Sequence, residues 1–337
     1  MKKTFISIIA ISTIVSATTV MEQAQKSGLK AIPSDKTALM KLIDNPKNHI
    51  TNDKIELGKK LFFDTRLSKS EFISCNSCHN LATGGVDGLS AAIGHKWTSN
   101  PHHLNSPTVY NAVFMESQFW DGREPDLEAQ AQGPMQAAPE MAITKDMAVK
   151  RVSSMPEYVA EFKKAYGSEK ITFKKIADTI AIFERTLVTP SRYDKFLEGD
   201  KKALTKNEKK GLKLFIDKGC VSCHGGIALG GGKQPFPLVK PFKYANVGDF
   251  KGDKNGMVKV PTLRNITQTA PYYHNGTVWS LAKAVDIMAE TQLGQTLTKD
   301  ETKSIVTFLK ALDGKKPTVT YPQLPSVTAK TPKPDIN

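Results

Sequence analysis

A mainly α-helical fold of two related domains is what this sequence predicts, on three observations. Cys75-Asn76-Ser77-Cys78-His79 and Cys220-Val221-Ser222-Cys223-His224 are two C-x-x-C-H runs that use all four cysteines of the chain. Each is preceded by a helical stretch with the same pattern, Gly58-Lys59-Lys60-Leu61-Phe62-Phe63-Asp64 and Gly211-Leu212-Lys213-Leu214-Phe215-Ile216-Asp217. The rest of the chain shows helical spacing and no βαβ alternation. C-x-x-C-H is the attachment signature of c-type haem. Two thiols two residues apart add to the two vinyl groups of one haem, and the adjacent His supplies an axial nitrogen. A lone run would also suit a zinc half-site or a redox pair. Neither explains why His follows the second Cys both times, so Cys75, Cys78, Cys220 and Cys223 are read as holding two covalent haems.

The chain opens with Met1-Lys2-Lys3, an apolar run from Phe5 to Val15, and then small residues. That order is a secretory signal peptide over 1–17, cut after Ala17 or as late as Ala24. The run is too short to span a bilayer, and no other stretch is long enough. Export to the periplasm suits covalent haem attachment, and no disulfides are expected. With 337 residues and 39% hydrophobic content there is material for two domains. The net charge of +14 falls by two with the leader. Its lysines are dispersed, which argues against nucleic acid and fits an acidic redox partner.

Residues 18–50 read as a leading segment with a short helix over 36–43. Leu57, Leu61 and Phe62 then fall at helical spacing in 52–63, behind a cap at Thr51 or Asn52. The intervals to the first cysteine are 17 residues from Gly58 and 9 from Gly211, so the first copy carries an extra loop. A Gly-rich loop, Thr83 to Gly88, leads to Gly94-His95, with His95 sixteen residues past His79. Residues 105–134 are dense in special residues. Helices are expected over 143–155, 157–165 and 173–187, and a domain junction at 190–194. Thr205-Lys206-Asn207-Glu208 is a capping box opening the second domain. Gly-containing loops follow at 225–232 and 249–256. A helix over 280–290 carries Leu281, Val285 and Met288 on one face. The closing helix, 298–312, starts from a second capping box at Thr298, and 315–337 is a Pro-, Lys- and Thr-rich strap. The domains are thus 18–194, 195–314 and the tail.

From about Asn52 to Leu312 the chain resembles the bacterial dihaem cytochrome c peroxidases. The resemblance rests on L-F-F-D-x-R-L-S, C-x-x-C-H, N-S-P-T, Q-F-W-D-G-R, G-P-M and P-Y-Y-H-N-G, in that order. It implies two cytochrome c-like domains facing each other, an N-terminal haem that reduces hydrogen peroxide, and a C-terminal haem fed by a small donor protein, a cytochrome c or a cupredoxin. It also implies a homodimer. By the same resemblance His79 and His95 are the axial pair of the first haem at rest, with His95 leaving before peroxide binds. His224 and Met288 are the pair of the second, where thioether sulfur raises the potential. Trp120 lies between the haems. Gln130 and Glu140 stand on the distal side, Glu140 moving protons. Asn105, Thr269 and Pro271 match a calcium site of amide and carbonyl oxygens. Two alternatives stay open: a related enzyme that oxidises tryptophans of a partner protein, which has Tyr where this chain has Met288, and a dihaem electron carrier without chemistry.

Overall fold

The computed structural model describes residues 18–336. The signal peptide read over 1–17 lies outside them. Thirteen α-helices, several of a single turn, and one two-stranded sheet make up the described part. In order the helices are α1 (Val20–Lys26), α2 (Lys36–Ile43), α3 (Asn52–Phe63), α4 (Cys75–Cys78), α5 (Leu127–Gln130), α6 (Gln132–Gln136), α7 (Lys145–Ser153) and α8 (Pro156–Tyr166). They continue with α9 (Phe173–Arg185), α10 (Arg192–Leu197), α11 (Lys206–Asp217), α12 (Leu281–Leu293) and α13 (Lys299–Leu309). The strands β1 (Lys233–Pro235) and β2 (Met257–Lys259) pair antiparallel, Gln234 opposite Val258.

Local chemistry sets the helix ends. Thr51 caps α3 through the Lys54 N–H, and Thr205 with Glu208 and Thr298 with Glu301 form reciprocal capping boxes on α11 and α13. Pro156 opens α8 and Gly167, at φ +68°, closes it. The closing helix is α-helical only to Leu309; Lys310–Leu312 tightens into a 3-10 turn. Helix α1 has no long apolar repeat to announce it and was not expected.

Each domain is built on one helix crossing, and the duplication runs through both partners. In the first, α3 crosses α9 where Gly58 backs onto the Thr179 carbonyl, and Phe62 meets Phe183 edge-on at 5.4 Å. In the second, α11 crosses α13 where Gly211 backs onto the Ser304 carbonyl, and Phe215 meets Phe308 at 5.4 Å. A Cβ at either glycine would overlap the facing carbonyl oxygen, so only glycine lets the backbones approach this closely. Phe162 and Tyr158 complete the first core; Tyr193, Leu212 and Leu312 complete the second. Burying such rings contributes roughly 1.5–3 kcal/mol each before entropy is counted.

The two ends of the chain cross over. Residues 18–50, grouped by sequence order with the first domain, begin in the second core: Ala24 and Leu29 pack with Tyr193 and Phe196. The Ile32 N–H donates to Asp194, and Leu29 bridges Gly226. The boundary drawn at 194 falls inside α10, whose Tyr193, Phe196 and Leu197 all belong to the second core. The strap does the reverse and lies on the first domain. Tyr321 meets Phe63 at 5.0 Å, Arg66 donates to the Pro325 carbonyl and Arg151 to that of Lys333. Both segments are too short and polar to bury themselves, so each settles where apolar surface and carbonyl partners are available.

Candidate active site between the two domains

One continuous, mainly apolar cavity runs between the domains, lined by both C-x-x-C-H segments. At the first, α4 is the single turn carrying Cys75 and Cys78, and His79 caps it. The His79 Nδ1 faces the Pro107 carbonyl at 3.0 Å. At the second, His224 Nδ1 faces the Leu229 carbonyl at 3.1 Å. A carbonyl partner fixes Nδ1 as the protonated nitrogen and leaves Nε2 with its lone pair free. Burial lowers the pKa of both imidazoles, His224 to about 4, which keeps them neutral as ligands.

The turns supporting the two histidines are a second repeat. Pro107-Thr108-Val109-Tyr110-Asn111 answers Pro261-Thr262-Leu263-Arg264-Asn265. Thr108 donates to the Gly84 carbonyl at 2.7 Å and Thr262 to that of Ala228 at 2.6 Å. Asn111 and Asn265 both adopt positive φ, near +60°. The repeated P-T-x-x-N pattern is the sequence signal of these turns.

These residues fit covalent haem. Four thiols, two neutral imidazoles and the Met288 thioether line the same apolar space. Burial raises the pKa of Cys75, of Cys78 to about 12 and of Cys220 to about 11, which marks how apolar the space around these thiols is. Among the described residues no three His, Cys, Asp or Glu side chains converge as a metal cage. Met288 comes in from α12 on the face that also brings Leu281 and Val285 to the cavity.

Gln130 and Glu140 line the cavity with His79. Glu140 is held in the turn after α6, its N–H on the Ala137 carbonyl at 2.9 Å. Desolvation raises its pKa, opposed by the nearby Arg123 and His102 charges. His95 is not brought into this cavity. Its ring is buried in a separate small recess with Lys69, Lys96, Thr98 and Pro139, and its Nδ1 has no partner. Its backbone is latched: the His95 N–H donates to the Glu140 carbonyl at 2.8 Å, and Ser70 donates to the His95 carbonyl at 2.7 Å.

Trp120 joins the domains. Its Nε1 donates to the Asn105 carbonyl at 2.9 Å and its own carbonyl accepts the Lys259 N–H at 2.7 Å. Its ring meets His274 edge-on at 6.3 Å. Asn105 Nδ2 donates to the Pro271 carbonyl at 2.6 Å, so two of the three groups expected around calcium meet directly. Holding a cation there requires the Asn105 amide turned to present Oδ1 instead. Thr269 lines the same end of the cavity.

Two buried ionisable groups on the cavity wall were not expected. Glu184 of α9 has a buried Oε2 without a hydrogen bond, and burial pushes its pKa up to about 8. Lys259 ends β2, and burial lowers its pKa to about 8. Neither belongs to a short motif, because their meaning depends on which wall of the cavity they occupy.

Comparison with known proteins bears on this geometry. Residues 52–202 match the family model for di-haem cytochrome c peroxidase, and residues 208–313 match that for cytochrome c. The chain is 49% identical to a cytochrome c551 peroxidase of Nitrosomonas europaea, over 83% of this chain and 86% of that one. It is 47% identical to the cytochrome c551 peroxidase of Pseudomonas aeruginosa, over 85% and 86%. A methylamine utilization protein MauG of Methylorubrum extorquens is 32% identical over 94% of both chains. Among solved structures, a MauG-like protein associated with microbial copper homeostasis superposes with TM-score 0.71 at 28% identity, covering 81% of this chain and 93% of that one.

Proposed function

This chain belongs to the di-haem cytochrome c peroxidase family, and from that premise we propose that it reduces hydrogen peroxide to water in the periplasm with electrons from a small redox protein. The chain is a cytochrome c peroxidase carrying covalent haem c in two cytochrome c domains. Residues 1–17 serve as its export signal; a cut after Ala24 would split α1 and remove a residue packed in the second core, so the earlier site is favoured. The donor is a cytochrome c or a cupredoxin, the working assembly a homodimer, and Asn105, Thr269 and Pro271 bind one calcium ion.

The observation that carries this reading is the joint placement of Glu140, Gln130 and His79 on one cavity while the His95 ring lies elsewhere. Bound haem iron supplies the electron-accepting and electron-relaying chemistry. The protein supplies the rest. His79 and His224 are oriented by the Pro107 and Leu229 carbonyls. Glu140 Oε takes the proton from one peroxide oxygen and returns it to the departing one, a double task suited to a carboxyl whose pKa burial has raised toward neutrality. Gln130 orients peroxide beside it. Met288 would hold the iron of the second haem through its soft sulfur, and Trp120 spans the gap between domains through Asn105 and Lys259.

Glu140→Gln in the holoprotein is the test. It keeps size and hydrogen bonding, so two haem additions per mature chain by mass spectrometry should persist. Turnover of peroxide with a reduced donor should fall by about 10²–10⁴-fold, the usual contribution of a positioned acid–base group. Wild-type turnover in that variant would remove Glu140 from the mechanism and revive the electron-carrier reading. The reading as an oxidant of partner tryptophans is disfavoured by Met288, which stands where that relative has Tyr.

A further inference from the structure

Lys259 presents an unusual problem. It is only 5% exposed, yet among the described residues its ammonium makes no hydrogen bond and no ion pair. The one carboxylate that attracts it is Asp121, and Asp121 is held by Arg123 at 3.0 Å. Directly across the sheet stands another lysine, Lys233, whose Nζ turns to Asp253 at 3.1 Å. A like charge opposite in an antiparallel pair is unfavourable, and a buried ammonium without an anion is more so. Sheet stability therefore does not account for lysine at this position. The side chain lines the cavity between the domains.

The segment around Lys259 places its charge. Two residues on, Pro261 approaches His224 through its carbonyl. Lys259, Pro261 and His224 line the same cavity. The Lys259 N–H is meanwhile fixed to the Trp120 carbonyl at 2.7 Å. The backbone that carries this lysine is thus anchored to the interdomain tryptophan, two residues from the carbonyl that approaches His224. A c-type haem is bonded to protein at its vinyl edge, and its opposite edge carries two carboxylates that need cationic or hydrogen-bonding partners.

We propose that Lys259 is the counter-cation of a propionate of the C-terminal haem, holding that carboxylate at the domain interface next to Trp120. The inference rests on haem attachment at Cys220 and Cys223. Lys259 acts here as a positioning residue. Its charge favours the ferrous state of the neighbouring iron by Coulomb attraction in a low-dielectric site, and its backbone fixes the tryptophan in the same register.

The test is made on the holoprotein with haem counted per chain. Lys259→Met should lower the midpoint potential of the His224 haem, leave that of the His79 haem in place, and shift a propionate bending band in the resonance Raman spectrum. Lys259→Arg should restore potential and band toward wild type. Unchanged potential and unchanged bands in a Lys259→Met protein with two haems would overturn the proposal, as would a shift confined to the His79 haem. A crystal structure of the wild-type holoprotein decides the matter without a variant. It should place Nζ at hydrogen-bond distance from a propionate oxygen; Nζ on Asp121, a free anion or water alone would overturn the assignment. Fewer than two haems per wild-type chain would sink the attachment reading as well, whereas two haems with an uninvolved Lys259 sink the lysine alone.

Discussion

Asn111 and Asn265 donate to the same hydroxyl. Their Nδ2 atoms lie 2.7 and 2.8 Å from Thr189 Oγ1, one reaching it from each copy of the P-T-x-x-N turn. Thr189 returns its own N–H to Asn111 Oδ1 at 2.9 Å, and Asn265 Oδ1 takes the Gly314 N–H at 2.8 Å. All three side chains are buried. The turn that holds the Pro107 carbonyl against His79 and the turn that brings the Pro261 carbonyl to His224 are therefore tied to one point at the domain junction.

Thr189→Val removes that acceptor while keeping its shape. Two buried amide N–H groups would lose their partner, at a cost of about 1–3 kcal/mol each unless the turns relax. The expected outcome is a lower urea midpoint for the holoprotein, with both haems retained. An unchanged midpoint would mean the turns hold without the shared hydroxyl.

Met288→His or Met288→Ala should lower the potential of the C-terminal haem and slow turnover with a donor protein. The reason is loss of the soft sulfur proposed as a ligand, which favours ferrous iron. A redox titration identical to wild type would reduce Met288 to one more apolar contact of α12.

His95→Gly tests the gate. In this structure the His95 ring sits in its own recess and its backbone N–H is latched to the Glu140 carbonyl. With the ligand removed, the N-terminal haem should be high-spin in the fully oxidised protein and react with peroxide without prior reduction. A variant that still requires reduction would clear His95 of the gating role.

Glu184→Gln should change how stability depends on pH. The folded carboxyl is pushed up to about 8 from an ordinary value of 4.5. Between those values the folded protein keeps the proton that the unfolded chain releases. Stability therefore falls as pH rises through that window and is fully retained below it. Urea midpoints of wild type and Glu184→Gln should converge near pH 4.5 and separate by pH 8, the variant being the less pH-sensitive. Parallel curves would mean that the carboxyl finds a partner when charged.

The two haem sites, the duplication and most helices were legible in the sequence because their causes are local. Attachment needs two thiols and a histidine within five residues. Helices α2 and α3 carry their apolar periodicity and their caps within a dozen residues. Gly58 and Gly211 repeat because each must let one backbone touch another, and a missing Cβ is written in the sequence as glycine.

Tertiary structure alone decided the rest, because the remaining partners are distant and many are backbone atoms. Nothing near Ala24 announces that α1 packs in the second core, since its partners, Tyr193 and Phe196, lie about 170 residues away. The orienting oxygens of His79 and His224 are carbonyls of Pro107 and Leu229, and a carbonyl belongs to every residue type. His95 becomes a ligand only through the family resemblance, and where its ring lies depends on the Ser70 and Glu140 contacts that hold its loop. Lys259 reads as one lysine among many until packing removes its water and leaves the cavity as the place to find an anion. Local covalent chemistry is specified by residue type at fixed spacing; the environment that tunes it is specified by long-range burial, which no short window of sequence contains.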